Sequence, residues 1–217
     1  MLIVGNNLNV FLQMNKSMKE KIKRPAKKIK YEWLWYAHSF LELARIGCEN
    51  LLRQNYKRND NMVFMLYNSK KLLISIFFNI KHSLELFLKA LDINLTEHFL
   101  PIHDIESLLC DLKKNIEKTI PRSEHRKRIL NKFKEGESLF KKYIFCQILK
   151  EGKIEDTNNV VFRYPEDNGV NFDVTEKMKN FDREEINEIL RDINKFNNLF
   201  HIVDYRIAMG RFYNNKE

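Results

Sequence analysis

His82, Glu85 and Lys89 interrupt the otherwise greasy run IKHSLELFLKAL, and they are the first side chains here with types and spacing suited to chemistry. At helical pitch the three fall within about one sixth of the circumference. Leu73, Ile76, Phe77, Ile80, Leu84, Phe87, Leu88 and Leu91 occupy the opposite side, and Phe78 and Leu86 flank the polar strip. A carboxylate between an imidazole and an ammonium can orient a base or bind an exocyclic amine. A strip on a helix that wants burial almost all round should open onto a cleft or a partner. The plainer reading is a surface Glu–Lys pair at i, i+4, contributing a few tenths of a kcal/mol.

A second set lies near the end of the chain, where Asn197, His201 and Asp204 share one side of a helix. Asn197 and Asp204 fall almost on the centre of its apolar stripe. Polar groups there must be satisfied internally or at an interface, since one left buried and unpaired costs about 1–3 kcal/mol. The set therefore reads as a hydrogen-bond network locking a bundle, as a dimer seam, or as a catalytic or ligand-contacting cluster. His103, directly before Asp104, is either a loop-fixing residue at a helix start or a ligand contact. Arg163 and Tyr164 could clamp a phosphate and stack on a base, or simply sit on a hairpin surface. His82 and His103 lack HxxxH or HExxH spacing, so no metal and no cofactor is indicated.

The elements that must position these residues are mostly helical. Tyr31 to about Asn55 repeats Trp33, Tyr36, Phe40, Leu43 and Leu51 near core spacing, and a second helix is expected from about Met65 to Asp92. Asp104 is a plausible N-cap for a third, shorter helix, and Ser123 caps a fourth running to about Leu149. The segments VVFRY and VNFDV flank the turn cluster PEDNG, which predicts a small β-hairpin inserted at about residues 155–176. Asp182 caps a last helix from Arg183 to about Met209, with Ile186, Ile189, Leu190, Ile193 and Phe200 in one stripe. The expected fold is mainly all-α, a bundle of four to five helices over residues 31–217, preceded by a basic N-terminal arm, residues 1–30.

Composition sets the class of partner. A net charge of +9 favours anions such as nucleic acid, and the excess is concentrated: KSMKEKIKRPAKKIK, residues 16–30, places eight Lys or Arg around one Glu. Arg122, Arg126, Lys127 and Arg128 form a second group. Both groups serve equally well as solvated surface or as phosphate contacts, and the arm alone could hold DNA with a steep salt dependence. Cys48, Cys110 and Cys146 are far apart and form no CxxC pair, which fits reduced cytoplasmic thiols. No secretion leader and no apolar run of bilayer length is evident, so no membrane partner is expected. The chain lacks GxxxxGK[ST], GxGxxG and GxSxG motifs, which excludes the commonest nucleotide hydrolases, dinucleotide enzymes and serine hydrolases.

HSLELFLKAL followed by HDIESLL, together with YEWLWYAHSFLELA and its small Ala37 and Ala44, resembles the HEPN family, the higher-eukaryote and prokaryote nucleotide-binding domains. The FRYPED segment is similar to an insert of some members. The resemblance implies a HEPN-like helical bundle, a homodimer, and RNA or a nucleotide as ligand. It also implies a prokaryotic toxin, antiviral defence or RNA-processing setting, with an antitoxin or a nucleotidyltransferase as partner protein. Active members cut RNA without metal, using an Arg for phosphate charge and a His four to six residues beyond for proton transfer. Here the positions before His201 read Asn194, Lys195 and Phe196, without that Arg. Carried over, the pattern assigns His201 as acid/base, Lys195 as phosphate cation, Asn197 or Asn198 as orienting group and Glu85 as support. His82, Lys89, His103, Arg163, Tyr164 and Asp204 would contact ligand. Loss of the Arg favours the alternative, a non-catalytic module that binds a partner protein or a nucleotide ligand.

Overall fold

The computed structural model describes residues 26–54, 62–98, 101–120, 124–146, 154–155 and 181–214. These residues form five helices, α1 (Ala26–Gln54), α2 (Met62–Thr96), α3 (Ile105–Thr119), α4 (Glu124–Ile144) and α5 (Arg183–Asn214). The architecture is an all-α bundle, as the helical periodicity requires. Phe145–Cys146 (β1) and Ile154–Glu155 (β2) form a two-residue antiparallel bridge. The hairpin expected around PEDNG, the Ser123 cap and the arm before Ala26 lie outside the described residues.

Small residues bring the first two helices together. Leu34, Ala37, Leu41, Ala44, Cys48 and Leu51 form the buried stripe of α1. Trp33 lies beside Lys89, Ser83 Oγ donates to the Ala37 carbonyl at 2.6 Å, and Gly47 faces Ile76, so α1 and α2 run antiparallel along their length. A Cβ at Gly47 would come within 2.7 Å of Ile76 Cγ1, so any larger residue there must displace the Ile76 side chain or part the helices.

The two expected Asp caps form. Asp104 accepts from the backbone N–H groups of Glu106 and Ser107, both at 3.2 Å, and begins α3. At α5, Asp182 Oδ1 accepts from Glu185 N at 2.8 Å while Glu185 Oε2 accepts from Asp182 N at 3.0 Å, a reciprocal capping box. Several boundaries differ from expectation: α2 starts at Met62 and reaches Thr96 rather than Asp92, and α5 reaches Asn214 rather than Met209. Helix α1 begins at Ala26, within the basic run rather than after it, and α4 ends at Ile144 rather than Leu149 because Phe145 and Cys146 leave the helix to pair with Ile154 and Glu155.

After α2 the chain doubles back. Glu97, at φ 60°, closes the helix with its N–H on the Ile93 carbonyl at 2.9 Å. The return places His103 beside Glu85, and α3 then runs in the same sense as α2, with Asn115 Nδ2 donating to Asp92 Oδ1 at 2.7 Å. Helix α5 lies antiparallel to both α1 and α4 and meets α2 through Phe87 and Phe200, stacked at 3.8 Å between centroids. Phe133, Phe140, Tyr143 and Phe196 complete this aromatic centre.

Candidate functional site: a histidine pair on the α1–α5 face

Helices α1 and α5 pack so that His38 and His201 stack, with centroids 4.7 Å apart and planes 28° from parallel. Asn197, one turn before His201, brings its Oδ1 to 3.0 Å from His38 Nδ1. A carbonyl oxygen only accepts, so His38 Nδ1 carries the proton and Nε2 presents its lone pair. Burial pushes the His38 imidazole below its ordinary value; the bond to Asn197 opposes this, and the nearby His201 adds to the lowering. His201 and Asn197 are exposed, and His38 is half-buried with its edge against Phe200 at 5.7 Å. Further along the same seam, Lys30 Nζ pairs with Asp204 Oδ1 at 3.0 Å. Asn197 and Asp204 thus flank the apolar stripe of α5 instead of lying on its centre, which Phe196, Phe200 and Val203 occupy.

Large aromatic side chains stand exposed on the same two helices. Trp35 and Tyr205 are each 65% exposed, and Tyr31 is exposed as well. Trp35 stands one turn before His38 on α1, and Tyr205 stands one turn after His201 on α5. The face therefore offers two imidazoles, an amide and aromatic rings to solvent.

Glu85, His82 and Lys89 do not open onto a cleft, and they are not a surface pair. Helix α1 and the segment before α3 cover the strip, leaving Glu85 2% and Lys89 4% exposed. Glu85 Oε1 accepts from Lys89 Nζ and from His103 Nδ1, both at 2.8 Å, and Glu85 Oε2 lies 3.6 Å from His82 Nδ1. Burial alone would raise the Glu85 carboxyl. The donors from His82, Lys89 and His103 overcome it and hold the group down to about 2. His82 is packed between Phe40 and Phe78, and Lys89 Nζ lies 5.9 Å from the centre of the Trp33 ring. Of this cluster His103 is the most accessible member, with about half its side chain exposed.

The set assigned to catalysis by resemblance divides between two sides of α5. Asn197 and His201 face α1. Lys195 and Asn198 instead line a cleft of about 630 Å³ between α4 and α5, with Leu139, Leu199 and Ile202 among its apolar walls. Lys195 Nζ donates to Asp192 Oδ1 at 3.1 Å, and Asp192 Oδ2 accepts from Lys142 Nζ at 2.6 Å and from the Tyr143 hydroxyl at 3.2 Å. Lys142 also reaches Glu188 at 2.7 Å. Burial would lower the Lys142 ammonium, but the two carboxylates raise it. Glu85 sits in the α1–α2–α3 cluster, whereas the contacts of Asn197 and His201 centre on His38.

Arg163 and Tyr164 lie outside the described residues. Sequence reading missed His38 and Asp192. His38 sits in YEWLWYAHSFLELA, where the one signal was a titratable ring among aromatics. Among the described residues no three His, Cys, Asp or Glu side chains converge as a metal cage needs, and no helix is long and apolar enough to cross a membrane. Comparison with protein-family models, curated proteins and solved structures returns no match to this chain.

Proposed function

We propose that this chain is a HEPN-like RNA-binding protein whose working surface is the α1–α5 face, where His201 acts in metal-independent cleavage of RNA. The observation that carries the reading is the exposed His201, stacked on His38, with the exposed rings of Trp35 and Tyr205 about one turn away along α1 and α5. Imidazoles transfer protons near neutral pH, and unstacked bases settle on aromatic side chains. The net charge of +9 draws a polyanion to the molecule. The setting of the resembled family belongs to the same proposal: a prokaryotic toxin, defence or RNA-processing system, a homodimer, and an antitoxin or nucleotidyltransferase partner.

Incubating the purified protein with a mixed RNA pool in EDTA tests the reading. Fragmentation that His201→Ala abolishes supports it, and intact RNA at high protein concentration removes the nuclease part. A second reading, a non-catalytic module that holds a partner protein or a nucleotide on the same face, is favoured by Lys195. That cation, where the family's Arg is expected, is bonded to Asp192 and turned toward α4. Under this reading His201→Ala leaves ligand binding mostly intact and there is no cleavage to lose.

A further inference from the structure

We infer that His38 is a second catalytic residue of the α1–α5 face, forming with His201 an acid–base pair for single-stranded RNA that carries free 2′-hydroxyls. The inference rests on the ribonuclease reading above and adds a group that the family pattern does not contain.

Internal cleavage of RNA needs two proton transfers on opposite sides of one phosphate: a base for the 2′-hydroxyl and an acid for the departing 5′-oxygen. One imidazole must serve both steps in turn, whereas two serve them together. Here two imidazoles lie 4.7 Å apart on a surface open to solvent, close enough to address one phosphate group. Asn197 settles their inequality. By accepting from His38 Nδ1 at 3.0 Å it holds the tautomer with Nε2 free to take a proton, as a base requires.

Charge assigns the roles. The ionisable groups facing His38 from α5 are His201 and Asp204, and Asp204 is engaged by Lys30 of α1. Two imidazolium rings stacked this closely repel, so the pair holds one proton more readily than two. Burial disfavours charge on His38, which suits it to act as the neutral base, and the acid's role falls to the exposed His201.

In the step itself His38 Nε2 removes the 2′-hydroxyl proton as the 2′-oxygen bonds to phosphorus. The phosphorus–5′-oxygen bond breaks, and the leaving oxygen takes the proton of His201. The products are a 2′,3′-cyclic phosphate and a free 5′-hydroxyl. His38 ends protonated and His201 neutral, and exchange with water resets them. Trp35, one turn from His38 on α1, and Tyr205, one turn from His201 on α5, are exposed rings on which neighbouring bases can stack and which a duplex cannot use.

The test uses the full-length protein in EDTA with a short labelled RNA and the same oligonucleotide fully 2′-O-methylated. Cleavage of the first alone, leaving 2′,3′-cyclic phosphate ends, is expected. His38→Gln and His201→Gln should each slow turnover by about 10²-fold or more while RNA affinity by fluorescence anisotropy changes little. The wild-type pH–rate profile should be bell-shaped, and His38→Gln should lose its acid limb. Full activity in His38→Gln beside a dead His201→Gln overturns the pair and leaves the His201 reading standing. Absence of cleavage by the wild type overturns both. If thermal unfolding shows that His38→Gln has lost its fold, the wild-type profile decides: a single titrating limb, in place of two, also overturns the pair.

Discussion

Glu85 shows how one residue's role is set by what surrounds it. Its carboxylate is almost wholly buried, yet it is held charged by donors from His82, Lys89 and His103. With a folded value of about 2 against an ordinary 4.5, the unfolded chain binds a proton first as pH falls. Glu85 therefore contributes its full stability above pH 4.5 and loses it on acidification toward pH 2, a term on the order of 3 kcal/mol. Glu85→Gln should lower stability at pH 7 by about 3–5 kcal/mol, because it removes the charge three donors share. Urea unfolding at pH 7 and at pH 3 checks this, with the gap between variant and wild type narrowing at the lower pH. Placed this way, Glu85 fastens α2 to the start of α3.

At the scale of elements, the crossing of α1 and α2 depends on the absence of a side chain. Gly47 meets Ile76, whose branched Cβ leaves little rotamer freedom to move aside. Gly47→Val should force the helices apart and cost about 1–3 kcal/mol despite the better helix propensity of any residue over glycine. Its midpoint in a denaturant titration should fall with little change in slope. The capping box of α5 is a second, independent element term. Asp182→Ala removes the acceptor for Glu185 N and should cost about 1 kcal/mol, read as a lower midpoint in the same titration.

For the whole molecule, α5 joins the core to the proposed working face. Phe200 stacks on Phe87 of α2 and meets the edge of His38, so one side chain supports both the bundle and the histidine pair. Phe200→Ala should cost about 3–5 kcal/mol through the cavity it leaves. Phe200→Leu should keep most of the fold but loosen His38 against His201. Calorimetry gives the first effect, and the pair's NMR titration shifts give the second.

Much of this organisation was legible along the chain. Helix periodicity and the two Asp caps depend on residues within one or two turns, so spacing alone located α1, α2, α3 and α5 and the starts at Asp104 and Asp182. The buried stripe opposite His82, Glu85 and Lys89 was legible for the same reason. What covers that strip was not, because it depends on the chain doubling back after Thr96 to set His103 against Glu85. The same holds for the pair on the other face: His38 and Asn197 are 159 residues apart, and no local pattern links them. Helical pitch fixes which residues share a side of one helix, but only the packing of α1 against α5 decides that His201 meets His38 while Lys195 turns to Asp192.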